Sequence, residues 1–383
     1  MKILQLNFEK GWRGGERQTL YCMRAFRKAG HDVEVMCREG APLAERARQE
    51  GFVAHTCRNV PGLVVILHVV IEVLLERARQ EGFVAHTCRN VPGQLAFLAG
   101  AGRYDIVHAQ TANTITWAVL TKWLHRRPVV FSRRTSFVVK PGDEWKTGFK
   151  WRHANLLVAI SEMAAGEPRR LGLEPVIIRS AVEPHEINAE NVANLVREFG
   201  LAGKKVMATS AALIRDKDPV TLVRAIGELA RTRRDFVFLH FGAGGDREEQ
   251  AKDEARKLGI EDVYRFAGFR KGVEDFYSIL DVFVMSSEEE ALGSSVLDAF
   301  LQRVPVVSTD AGGLKESLAD GRGVLCAVGD FHAMAQGMAR CLDDAAFRQD
   351  LTERAYDYVR NEHDVQKMGN RYLAQFERLL ARR

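Results

Sequence analysis

The chain opens on a short apolar run, Lys2-Ile-Leu-Gln-Leu-Asn7. A glycine-rich turn, Gly11-Trp-Arg-Gly-Gly15, separates it from a helical pattern over 16–30. The rhythm then repeats: apolar, β-branched runs at 31–37, 105–108, 128–132 and 156–160 are each followed by helical periodicity. Short apolar strands spaced by helices predict a parallel sheet covered on both faces. The pattern restarts at Lys205-Val-Met-Ala-Thr209, with a helix over 219–231, a strand at 236–241 and a helix over 247–258. Further strands follow at 263–266, 282–285 and 305–308. Near 180–190 a strand-like Val176-Ile-Ile178 gives way to a polar stretch. The expectation is an α/β protein of two Rossmann-like domains, 1–182 and 183–383, with a cleft between them. An amphipathic last helix, about 365–380, is free to pack back on the first domain.

At 383 residues the chain is long enough for two cores. Its 46% hydrophobic and 27% charged content is that of a globular protein. A net charge of +5 does not argue for nucleic acid. The six cysteines, Cys22, Cys37, Cys57, Cys88, Cys326 and Cys341, form no C-x-x-C pair or metal-ligand spacing, and read as reduced, buried thiols of a cytoplasmic protein. Met1 to Phe8 reads as a strand and not as a leader peptide. The longest apolar run, 63–75, contains His68 and Glu72 and falls short of the roughly 20 residues that span a bilayer. Membrane contact, if made, is therefore expected to be peripheral.

One segment repeats. Glu45 to Gly62 recurs unchanged at 76–93, with an apolar insert, 63–75, between the copies. Two copies do not make a solenoid. A recent tandem duplication explains them better than a function does. Gly62 joined directly to Gln94 leads naturally to the strand at 105–108. One copy should therefore fill a helix–strand position while 63–93 forms an extra excursion.

Four segments carry candidate chemistry, all at the C-terminal ends of expected strands, where open α/β sheets bind ligands. Gly14-Gly15-Glu16 opens a helix whose N-terminal amides suit a phosphate, a carboxylate or a sugar hydroxyl. Arg215-Asp216-Lys217-Asp218 places a lysine before a helix, where it can neutralise a leaving diphosphate. Asp216 and Asp218 could suggest a divalent metal, but Lys217 between them repels a cation and Asp218-Pro219 is a helix start; no metal is expected. In Ser286 to Ala299, Glu290 sits at a helix mouth, Leu292, Gly293 and Ser294 offer backbone amides, and Asp298 lies two turns on. Finally, Gly242 in Phe-Gly-Ala-Gly-Gly and Phe269 in Phe-Ala-Gly-Phe-Arg lie on turns that can admit a nucleotide. Each turn alone is unspecific.

Taken together, these segments resemble glycosyltransferase family 4, the retaining family with the GT-B double-Rossmann fold. The resemblance rests on the Gly-Gly turn, "YDIVHAQ" (104–110), "LLVAISEMA" (156–164), "FGAGG", "RFAGF", "SSEEEALGSSVLDAF" and "VPVVSTDAGGLKE". It implies a nucleotide diphosphate sugar as co-substrate, no further cofactor, and front-face transfer with retention. It implies that Lys217 and Glu290 are catalytic, Glu290 touching the transferred sugar and Asp298 the ribose. Donor contacts fall to Gly14, Gly15, Arg215, Gly242, Phe269, Leu292, Gly293 and Ser294. On the acceptor side it points to Glu16, His108, Arg133 and Arg134. The family's Gly-Arg-Leu before the loop lysine is Ala211-Ala212-Leu213 here, its second glutamate is Asp298, and its histidine after the strand 128–132 is replaced by Arg133-Arg134.

Between Arg126 and Arg152 basic residues alternate with Trp145, Phe149 and Trp151. This stretch suits an anionic glycolipid acceptor, as in lipopolysaccharide synthesis, or an anionic membrane surface. A solvated basic loop is the plain alternative. Two other functions share the architecture: a nucleotide-sugar epimerase, which needs no acceptor, and a non-catalytic nucleotide-sugar binding protein.

Overall fold

Apolar residues on both sides of a strand need cover on both faces, and the inner strands of this chain are buried almost throughout. In β1 (Lys2–Asn7), Leu4 and Leu6 join one core cluster while Ile3 joins another. In β8 (Lys205–Ser210), Met207 faces one core, and Val206 and Ala208 face the other. Helices then pack on both sides, as parallel sheets require. The computed structural model describes residues 1–57, 98 and 100–382. They divide into two compact units, Met1–Ala181 with Val365–Arg383, and Val182–Asp364.

The first unit holds a parallel sheet ordered β3-β2-β1-β4-β5-β6-β7. Its remaining strands are β2 (Asp32–Arg38), β3 (Val53–Cys57), β4 (Ile106–Ala109), β5 (Val129–Arg133), β6 (Leu156–Ala159) and β7 (Val176–Ile177). Ile3 lies opposite Val33 on one side and Ile106 on the other, so β1 is central. The first repeat copy supplies the helix Pro42–Gln49 and the edge strand β3 as far as Cys57. The second copy and the insert, 63–93, lie outside the described residues.

The C-terminal helix, Val365–Ala381, belongs to this first unit, so the second unit ends at Asp364 and not at the chain end. It docks because Tyr372 and Phe376 are fully buried against Phe26 and His108. Tyr372 also shares a 2.7 Å hydrogen bond with Ser132. Gly369 permits a close crossing with the helix Gly14–Lys28, since a Cβ there would lie 2.3 Å from that of Ala25.

The second unit holds a parallel sheet ordered β10-β9-β8-β11-β12-β13. Beside β8 it contains β9 (Phe236–Phe241), β10 (Tyr264–Gly268), β11 (Val282–Met285), β12 (Val306–Thr309) and β13 (Val324–Cys326). The edge strand β13 and the helices Phe331–Asp343 and Ala345–Glu362 were not anticipated from sequence. The five described cysteines are buried thiols. No helix among the described residues is long and apolar enough to cross a membrane.

Candidate functional site

In the second sheet the strand order reverses between β8 and β11. Such a reversal, at the C-terminal ends of the strands, is where open α/β sheets bind ligands. Both candidate catalytic residues lie on the loops that follow these two strands. The β8 loop makes one tight turn, Arg215–Lys217, before the helix Pro219–Ala230. Asp218 caps that helix by accepting from the Thr221 N–H at 3.2 Å, with Pro219 at its first position. The β11 loop is bound to it: Ser286 Oγ donates to the Lys217 carbonyl at 2.8 Å, and the Glu288 N–H to the Asp216 carbonyl at 2.9 Å.

This pairing brings the Lys217 ammonium onto the Glu290 carboxylate, in an ion pair that leaves the side chains 22% and 16% exposed. Glu290 is fixed from behind. Its second carboxylate oxygen accepts from the Ala291 N–H at 3.2 Å, and its carbonyl accepts from the Gly313 N–H at 2.8 Å. Gly313 can be nothing larger, because a Cβ would lie 2.2 Å from the Ala291 carbonyl oxygen. Ser286 and Gly313 were not picked out from sequence. The Ala311-Gly312-Gly313 run was visible there, but nothing in one sequence tells a packing glycine from a turn glycine.

The β11 loop feeds the helix Ser294–Leu301 through Gly293, at φ 80°. Leu292 is buried, and its carbonyl accepts from Ser317 Oγ at 3.1 Å. Ser294 and Asp298 are half-buried and one turn apart on this helix. Arg215 is exposed, with its guanidinium 3.7 Å from the Glu288 carboxylate and its N–H on Asp246. Phe269 is 75% exposed beyond the end of β10.

Gly242 lies on the turn after β9. Its φ is 151°, and a Cβ would fall 1.9 Å from the Ala211 carbonyl oxygen. Its small size serves the packing of the β9 turn against the β8 loop, and Gly245 does the same beside Leu213. Beneath them His240 donates to or accepts from Tyr264 at 2.7 Å and contacts the Ala211 carbonyl at 3.1 Å. Burial brings its imidazole down to about 4.

In the first sheet the order reverses between β1 and β4. Gly14 and Gly15 begin the helix at the end of β1. Arg134, just past β5, forks onto Gln110 Oε1 at 3.0 and 2.6 Å and reaches Ser180 Oγ at 3.2 Å. Its Cδ lies 3.9 Å from where a Gly15 Cβ would be. The other three acceptor-side candidates turn inward. Glu16 is 4% exposed and accepts from the Arg13 N–H at 2.9 Å, and burial raises its pKa; it is a helix cap. His108 is wholly buried, bonded to Ser132 at 2.8 Å and Gln5 at 3.2 Å, and burial holds it well below its ordinary value. Arg133 donates to the carbonyls of Ala164 and Phe137 and stacks over Trp151, so it anchors a loop. A histidine inside a strand and an arginine ending one are ambiguous in sequence; burial decides.

Residues 12–186 match the family model described as Glycosyltransferase Family 4, and residues 193–358 the one described as Glycosyl transferases group 1. The lipopolysaccharide core biosynthesis glycosyltransferase LpsE of Rhizobium meliloti is 28% identical over 45% of this chain and 49% of its own length. The 2-deoxystreptamine glucosyltransferase of Streptomyces kanamyceticus is 30% identical over 54% and 55%. The chain thus spans about half the length of these curated relatives. Anabaena HepE, solved with UDP and glucose, superposes with a TM-score of 0.82 at 18% identity, covering 98% of this chain and 99% of HepE. The chain thus matches one glycosyltransferase family model in its first part and another in its second, and its two parallel-sheet α/β units match the GT-B fold of solved glycosyltransferases.

Proposed function

We propose that the protein is a retaining, metal-independent glycosyltransferase. It moves a sugar from a nucleotide diphosphate sugar to a saccharide or lipid-linked saccharide acceptor in cell-envelope glycan synthesis, on the cytoplasmic side of the membrane. The observation that carries this reading is the Lys217–Glu290 pair at the reversal point of the second sheet. A cation beside the helix mouth at Gly293–Ser294 suits the charge that develops on a departing diphosphate. In the proposed step the bond from the anomeric carbon to the diphosphate oxygen breaks. The acceptor oxygen attacks from the same face, and the leaving phosphate takes its proton. Lys217 then opposes the growing negative charge, Glu290 is released to the sugar, and Asp298 and the backbone of Leu292 to Ser294 hold the rest of the donor. LpsE's role in lipopolysaccharide core synthesis supports the envelope assignment.

The test is a thermal-shift screen with UDP, GDP, ADP and their sugar conjugates, on wild type and Lys217→Ala. Ligand binding to the folded state raises the melting temperature. One diphosphate should give a clear shift that Lys217→Ala loses. A shift with none of them would overturn the reading. With the donor known, NMR of the product's anomeric proton reads retention directly.

A further inference from the structure

Away from the strand ends discussed above, the first unit presents an aromatic and basic outer face. The helix Glu144–His153 buries Gly148 and Trp151 and turns Trp145 (69% exposed) and Phe149 (45% exposed) outward. Trp145, Phe149 and His153 are spaced by four, so they lie along one side of the helix. Phe149 and His153 are in contact, their ring centroids 4.0 Å apart and their planes tilted by 34°. Exposed Lys146 and Arg152 flank this stripe, and the preceding loop adds exposed Phe137 and Val138. Helices of water-soluble domains keep such rings inside; this one shows them to the outside.

The stripe ends at a cavity of about 430 Å³ whose wall includes His153, Lys122, Trp123, Arg126 and Arg127 and, among the described residues, no acid. Pro128 and Asn155, also in the wall, precede β5 and β6. The cavity therefore lies at the N-terminal edge of the sheet, the end opposite Gly15 and Arg134. Lys122 and Arg127 are held by backbone carbonyls, those of His153 and Gly102, each at 2.8 Å. The cations on this face are Lys122, Arg126, Arg127, Lys146 and Arg152, and the acids beside them are Asp143 and Glu144. Asp143 lies 3.4 Å from Lys146, and Glu144 accepts from the Gly142 N–H.

We propose that this face docks on an anionic bilayer, its aromatic stripe entering the headgroup boundary while the cavity cations take a lipid phosphate. Two features select a lipid surface as the occupant. Exposed indoles beside cations suit the water–lipid boundary, where one end of each ring is dry and the other wet. The concentration of positive charge complements the negative potential of anionic leaflets. The inference does not depend on the transferase reading, and its test uses no activity.

The full chain is sedimented with vesicles of phosphatidylcholine alone or mixed with phosphatidylglycerol, with tryptophan emission recorded in parallel. Binding is expected only to the mixed vesicles, with blue-shifted emission, and should weaken as salt rises. Trp145→Ala/Phe149→Ala and Lys146→Glu/Arg126→Glu alter exposed side chains and should keep the wild-type melting temperature. Each double variant should lower the partition coefficient by about tenfold or more. Lys146→Arg, which keeps the charge, should bind as wild type does. Equal binding to both vesicles, or unchanged binding by either double variant, overturns the proposal. So does a phosphate-induced thermal shift without vesicle binding, which would make the cavity a site for free anions.

Discussion

Lys217 and Glu290 stand 73 positions apart and meet because β8 and β11 are neighbours in the sheet. In the ion pair each neutralises the other, so a diphosphate reaching Lys217 competes with a built-in carboxylate. Glu290→Gln keeps the shape and removes the competitor. It should bind the nucleoside diphosphate more tightly, about tenfold by calorimetry, while turnover falls by about 100-fold or more. Weaker diphosphate binding would contradict this account. A second residue-scale case is Glu34, 7% exposed in β2. Burial pushes its carboxyl up, but hydrogen bonds from His55, Lys2 and Tyr104 outweigh that and hold it at about 2. A depressed carboxyl contributes stability that is complete above the unfolded value near 4.5 and is lost as pH falls through the folded value. Wild type should therefore lose on the order of 2–3 kcal/mol between pH 5 and pH 2 from this group. Urea titrations of Glu34→Gln across that window should show a flatter acid limb and lower stability at pH 7.

At the scale of elements, the most informative contact is the crossing of the last helix over the helix Gly14–Lys28. Alanine normally favours a helix over glycine by about 1 kcal/mol. At Gly369 the added methyl meets Ala25 at 2.3 Å, with backbone behind it. The helices must separate, which strips cover from Tyr372, Phe376 and Phe26. Gly369→Ala should therefore destabilise the first unit by about 1–3 kcal/mol, read as a lower melting temperature, against its local propensity. A gain in stability would mean that the helix docks loosely. The helix itself was legible from its amphipathic period, and Asp218-Pro219 announced the start of the helix at 219. What could not be read was which unit the last helix joins, because both cores offer apolar partners. The short edge strand β13 was equally hidden, since three residues carry no periodicity.

For the whole chain, the α/β alternation and its restart near Lys205 were enough to anticipate two parallel sheets. The motif residues were legible as loops at strand ends, but their inner or outer placement was not: His108, Arg133 and Glu16 have polar side chains that the fold turns inward. The repeated segment asks which parts of the chain the fold requires. The first copy's Glu45 to Cys57 already forms the outer helix and the edge strand, paired through Met36–His55 and its neighbours to β2. With that place filled by the first copy, the expectation is that the first sheet forms without 63–93. Removing those residues joins Gly62 to Gln94 and restores a single copy, whichever of the two is counted as deleted. The chain between Cys57 and the buried Leu98, Ala101 and Tyr104 becomes 31 residues shorter. The shortened chain should melt at the same or a higher temperature than the full chain and should show the same diphosphate-induced shift. Aggregation or a lower melting temperature would mean that the fold draws on the second copy after all.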